Sequence, residues 1–167
     1  MFVVDTNVLL AAANKDDRAH SACRELLERW RNQSGAWYAT WGILYEFTRV
    51  ATHPRVLPHP WSFGSAWRFV EALLACPGFG VLVETPRHQA VAAEVIDEVP
   101  LLAGNIIHDA HIAILMREHG IRRVYTRDTD FFRFPFLEPV DPLRPRAAPG
   151  TAEPVPRYRT AKGRRRR

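Results

Sequence analysis

The chain has 167 residues, 47% hydrophobic and 25% charged, which suits one domain with a proper core and requires no internal boundary. No apolar run could span a bilayer and the opening MFVVDTNVLL lacks a basic flank, so the expectation is a cytoplasmic protein with no membrane partner and no secretion signal. The net charge of +5 divides unevenly: from Pro142 onward nine Arg and Lys face the single acid Glu153, for +8, while 14 basic and 17 acidic residues leave the body at −3.

In chain order, FVVD (2–5) reads as a buried strand stopped by an acid. NVLLAAA continues as helix. Asp16 and Asp17 can cap a longer amphipathic helix with Ala19, Ala22, Cys23, Leu26, Leu27 and Trp30 on one face, ended by Ser34-Gly35. AWYA (36–39) reads as a second strand, with Thr40 as N-cap of the helix WGILYEFTRVA, closed by His53-Pro54. WSFGSAWRFVEALLAC (61–76) has helical spacing with Trp67, Val70, Leu73 and Leu74 inward, and Pro77-Gly78 breaks it. FGVLVE (79–84) is a third strand. Helices follow in PRHQAVAAEVIDEV and NIIHDAHIAILMREHG, then a fourth strand RRVYT (122–126) and, after TRDTDFFRF, a short edge strand in FLEPVD, where Pro139 limits pairing. Cys23 and Cys76 lack metal-ligand spacing and read as buried free thiols.

Strands alternating with helices imply a parallel sheet covered on both faces, a three-layer α/β/α sandwich with four to five strands. Residues 1–141 form this domain, and the Pro- and Arg-rich 142–167 a basic tail expected to be disordered, either a solvated end or a holder of phosphates. In open parallel sheets the ligand crevice lies beyond the carboxyl ends of the strands. Asp5 ends the first strand, and Asp128 and Asp130 follow the fourth. Glu46 interrupts the apolar run Leu44, Tyr45, Phe47 and Val50, while Asp109 lies among the core residues Ile106, Ile107, Ala110, Ala113 and Ile114. Taken singly, Asp5 and Asp128 could be caps, Glu46 could pair with Arg49, Asp109 could favour a helix start, and Asp130 could be a turn acid. Together they would repel unless a divalent cation joined them, and an all-oxygen donor set favours Mg²⁺ or Mn²⁺ and phosphodiester hydrolysis.

The segments MFVVDTNVLLAA, Glu46 in the helix after Thr40, HDAHIAIL with Asp109, and YTRDTDFFRFP, in that order, resemble the PIN domain, specifically the VapC-type toxin ribonucleases, over residues 1 to about 142. The resemblance implies a homodimer that cleaves RNA with Mg²⁺ or Mn²⁺ and is blocked by a cognate antitoxin. It also implies Asp5 and Asp109 as principal metal ligands, Glu46 and Asp128 completing the catalytic quartet, and Asp130 as a fifth, auxiliary acid. Thr6, Asn7 and Thr126 would orient carboxylates or waters, with plain capping or turn bonds as the alternative. The tail lies beyond the family pattern.

A body of charge −3 needs local cations to hold RNA, and Arg49, Arg127, Arg133 and the tail are the candidates. Family precedent points to loops of tRNA or ribosomal RNA, and the aromatics at 41, 61, 63, 67 and 69 read as core or dimer packing. Two rival readings stand beside the ribonuclease. His108, Asp109 and His111 could suggest an HD-type phosphohydrolase, an all-helical family, and a catalytically silent RNA-binding relative would keep the acids without the activity.

Overall fold

Short strands and longer helices alternate along the computed structural model, which describes residues 1–100 and 102–144. β1 (Val3–Val4) leads into α1 (Thr6–Ala13) and α2 (His20–Asn32), and β2 (Trp37–Thr40) into α3 (Trp41–Ala51) and α4 (Phe63–Leu74). β3 (Phe79–Leu82) leads into α5 (His88–Glu98) and α6 (Ile106–Glu118). β4 (Arg123–Tyr125) reaches β5 (Glu138–Val140) through a 3₁₀ turn at Thr129–Arg133. Every strand pair is parallel, in the order β3-β2-β1-β4-β5, so the expected sandwich is present with five strands. Parallel neighbours need long crossovers, which the helices supply. The chain steps from β1 to β3 in one direction and then returns past β1 to β4. Right-handed crossovers therefore put α1 to α4 on one face and α5 with α6 on the other.

The strands are short, and at the centre of the sheet Val3, Val4, Trp37 and Val124 have no exposed surface. Trp30 of α2 packs on Phe2, Trp37 and Tyr125, with ring centroids 5.0, 5.9 and 4.7 Å away, and this cluster seals one face of the sheet. On the opposite face Tyr38 lies across Gly80, where an added Cβ would stand 2.9 Å from the Tyr38 ring. Both cysteines are buried free thiols, and Cys76 donates to the Ala72 carbonyl at 3.1 Å. No helix among the described residues is long and apolar enough to cross a membrane.

Three helices begin later than their sequence pattern, α5 starting at His88 and not at Pro86. α2 starts at His20 because Asp17 turns its carboxylate to the Ala19 amide and to Arg127, while the Asp16 amide bonds the Asn14 side chain. α4 starts at Phe63, since Ser62 caps it through the Ser65 amide and the Trp61 amide is taken by the Ala51 carbonyl. Leu74, expected inward, is 39% exposed. Of the expected tail, 145–167 lie outside the described residues; Leu143 and Arg144 close a turn on Asp141.

Strand order reverses at β1: its own crossover departs toward β2, while β4 flanks it on the other side. Helices leaving in opposite senses open a crevice at such a switch point, beyond the strand ends.

Candidate acidic site at the strand ends

Asp5 follows β1 and caps α1, its Oδ1 accepting from the Thr6 amide at 2.7 Å. Its Oδ2 accepts from the Thr126 hydroxyl at 2.7 Å and from the Asn7 side-chain amide. Three of about four lone-pair positions are thus filled by the protein. Thr126, just after β4, also accepts from the Asn7 side-chain amide at 3.1 Å and from the Asp128 backbone amide at 2.9 Å. The Asn7 carbonyl in turn accepts from the Arg127 backbone at 3.0 Å. One network therefore sews the start of α1 to the loop after β4. From α3, Glu46 Oε2 accepts from the Thr6 hydroxyl at 3.0 Å, and Oε1 faces Arg49 at 3.3 Å. Asp109 lies in the first turn of α6, and Asp128 caps the 3₁₀ turn through the Asp130 amide.

The capping and ion-pair alternatives open for Asp5, Asp128 and Glu46 are therefore realised in part, and the same side chains still converge. Asp5, Glu46, Asp109 and Asp128 line one crevice of about 860 Å³. Carboxylate oxygens of Asp109, Asp128 and Asp130 all lie within 4.8 Å of one another. Asp130, expected as an auxiliary acid, belongs to this tight group, while Asp5 is held beside it by its donors. Loss of solvent raises the Asp109 carboxyl to about 7, with repulsion from Asp128, Asp5, Asp130 and Glu46 adding to it. Burial likewise raises Asp5 to about 6; the bonds from Thr126 and Thr6 pull it down, and Glu46 and Asp128 push it up. Several acids from separate elements thus lack a counter-charge. An all-carboxylate donor set with unfilled oxygen positions fits a hard divalent cation such as Mg²⁺ or Mn²⁺.

Three helix faces build the walls at i, i+3, i+4, i+7 spacing: Gly42, Tyr45, Glu46 and Arg49 on α3, and Asn105, His108, Asp109 and Ile112 at α6, with Thr6, Asn7 and Leu10 of α1 between them. Leu10, Gly42, Tyr45, Asn105 and Ile112 are wall residues that the sequence reading did not single out, and helical spacing is the signal that finds several of them: Gly42 lies four before Glu46, Tyr45 four before Arg49 and Asn105 four before Asp109. His108 and His111 line the crevice edge but stand outside the acid group, and His111 Nε2 meets Glu84 at 3.1 Å. With a parallel sheet beneath them, an all-helical HD-type site is not built. Of the cationic candidates, Arg49 lines the crevice, Arg133 ends the 3₁₀ turn, and Arg127 turns its guanidinium away to Asp17 at 3.3 Å.

Comparison with known proteins gives a concordant picture. The PIN domain model matches residues 2–137. Ribonuclease VapC43 of Mycobacterium tuberculosis is 36% identical over 143 residues, 86% of this chain and 96% of its own length. Among solved structures, Mycobacterium tuberculosis VapC20, a sarcin-ricin loop cleaving toxin, aligns with a TM-score of 0.57 at 20% identity, covering 79% of this chain and 93% of that one. VapBC2 from Rickettsia felis, bound to a DNA fragment from its promoter, aligns with a TM-score of 0.60 at 17% identity, covering 83% and 96%.

Proposed function

We propose, from the premise that this chain belongs to the PIN-domain family and to its VapC-type ribonucleases, that it is a metal-dependent endoribonuclease acting as the toxin of a toxin–antitoxin pair. The observation that carries this reading is the convergence of Asp5, Glu46, Asp109, Asp128 and Asp130 on one crevice, where Asp5 and Asp109 are raised to pKa values of about 6 and about 7 and so are weaker acids than an ordinary Asp.

Asp5 and Asp109, the two acids whose ionisation is most opposed, are the principal holders of Mg²⁺ or Mn²⁺. Asp128 and Asp130 complete the group, and Glu46 joins it directly or through water. Such an ion, when bound, supplies a water able to attack near neutral pH and offsets charge on the phosphorus oxygens. The protein's own part is to fix these oxygens in advance: Asn7 and Thr126 lock the Asp5 carboxylate, and Thr6 holds Glu46. Tyr45, His108 and Arg49 form walls against which a splayed nucleotide can lie.

An open crevice suits a single-stranded loop of structured RNA, whose phosphates can be turned into it. The likeness to VapC20 favours a ribosomal RNA loop, with a tRNA loop as the other family precedent. The likeness to VapBC2 supports a cognate antitoxin as protein partner, and the family resemblance a homodimer.

A synthetic hairpin RNA incubated with the purified chain is expected to be cut with Mg²⁺ or Mn²⁺ and left intact with EDTA. Asp109→Asn should slow cutting by more than the roughly 10- to 100-fold that losing an outer partner of a metal site costs. Wild-type protein that yields no metal-dependent products, or an Asp109→Asn variant that cuts normally, overturns the reading.

A further inference from the structure

We infer that Arg18 and Arg144, with Arg127 between them and the crevice, form a subsite for one backbone phosphate of the bound RNA, a site that rests on the ribonuclease reading above. A second cavity, of about 370 Å³, is lined by Arg18, Arg127, Asp141, Leu143 and Arg144. It opens on the same rim of the sheet as the acids. Asp141 directly follows β5, and the Thr126 amide bonds the Val140 carbonyl at 3.1 Å, so the ends of β4 and β5 lie side by side. Segment 126–128 forms a wall of both cavities: Thr126 bonds Asp5, Asp128 lines the crevice, and the Arg127 side chain lines the second cavity.

The charges in this cavity are unequally satisfied. Arg127 is paired with Asp17, which fixes it in place, and the Asp141 carboxylate is engaged by the Leu143 amide. Arg18 and Arg144 have no ion-pair partner among the described residues. The guanidinium groups of Arg18 and Arg144 face this cavity against the one Asp141 carboxylate, Arg127 being paired with Asp17, so its lining carries excess positive charge that a bound anion offsets. Their forked donors match the oxygens of a phosphate. A nucleic acid crossing a crevice of several acids needs such a hold close by, because the acids repel every phosphate except one neutralised by the metal. The sequence after Arg144 then adds eight Arg and Lys against Glu153, continuing the positive charge from this point of the rim. The strand is therefore gripped on the β5 side of the scissile bond, which fixes the side on which it leaves the crevice.

The test is fluorescence anisotropy of a labelled hairpin RNA in EDTA with the full chain, over a series of salt concentrations. R18A/R144A should weaken binding on the order of tenfold at low salt and flatten the log Kd against log salt slope by about 0.7, the value for one single-strand phosphate contact. R18K/R144K should keep most of that slope, which controls for folding. With RNAs carrying one neutral methylphosphonate, wild type should lose affinity at a single linkage near the cut, and R18A/R144A should no longer distinguish that linkage. An unchanged slope, or a loss spread evenly over all linkages, overturns the subsite. Wild type that binds in this pattern yet never cuts with Mg²⁺ leaves the subsite standing and sinks the nuclease reading alone.

Discussion

At the scale of single residues, Asp5 and Asp109 link acidity to stability. Their folded values of about 6 and 7 lie above the 3.8 of an unperturbed Asp, so the folded chain binds more protons than the unfolded one between those limits. Their contribution is complete below about pH 4 and is lost as the pH rises through 6 and 7. Glu84 and Glu98 are shifted the opposite way, lowered chiefly by backbone and Arg117 bonds respectively, so their loss falls below pH 4.5, outside this window. Metal-free protein should therefore melt at a lower temperature at pH 7.5 than at pH 5.5. Asp109→Asn should reduce that difference, and added Mn²⁺ should raise the pH 7.5 melting point of wild type only. Thr126 is the other point of failure. It is 2% exposed and serves Asp5, Asn7 and Asp128 at once. Thr126→Val leaves the Asp128 amide without its partner and takes one donor from Asp5 and one acceptor from Asn7, and is expected to cost about 1–3 kcal/mol in urea unfolding, with cleavage falling as well.

At the scale of elements, the caps decide where helices begin. Ser62 holds α4 through the Ser65 amide at 3.1 Å, and Ser62→Ala should lose about 1 kcal/mol, read as a lower urea midpoint with an unchanged m-value. The helix over WGILYEFTRVA was legible to the residue, because Thr40 is a good cap and Ile43, Leu44, Phe47 and Ala51 keep helical spacing on either side of Glu46. α2 was legible in its packed face but not in its start: the two Asp that pattern would spend on capping are used in a turn and in a tertiary pair with Arg127. No local signal reports a partner 110 positions away. The acids were legible for the opposite reason. Each breaks an apolar rhythm or ends a strand, so its oddity shows in a window of a few residues. Tyr45 and Asn105 obey their local pattern and become visible as wall residues only once Glu46 and Asp109 have been assigned to a shared crevice.

For the whole molecule, the charge is divided between a body of −3 and basic residues after it, and residues 145–167 carry eight Arg and Lys against Glu153. Removing them is expected to weaken RNA binding most at low salt, with a shallower salt slope, while the acidic crevice keeps all its groups. An identical slope for the shortened and full chains would reject a role for that segment in holding RNA. The crevice itself draws on the first strand, the third helix, the sixth helix and the loop after the fourth strand. Asp5 and Asp128 are thus brought together across nearly the whole length of the folded domain. A nascent chain therefore lacks the assembled acid group until the segment after the fourth strand has emerged, and two fragments parted between Asp5 and Asp128 each hold only some of its carboxylates.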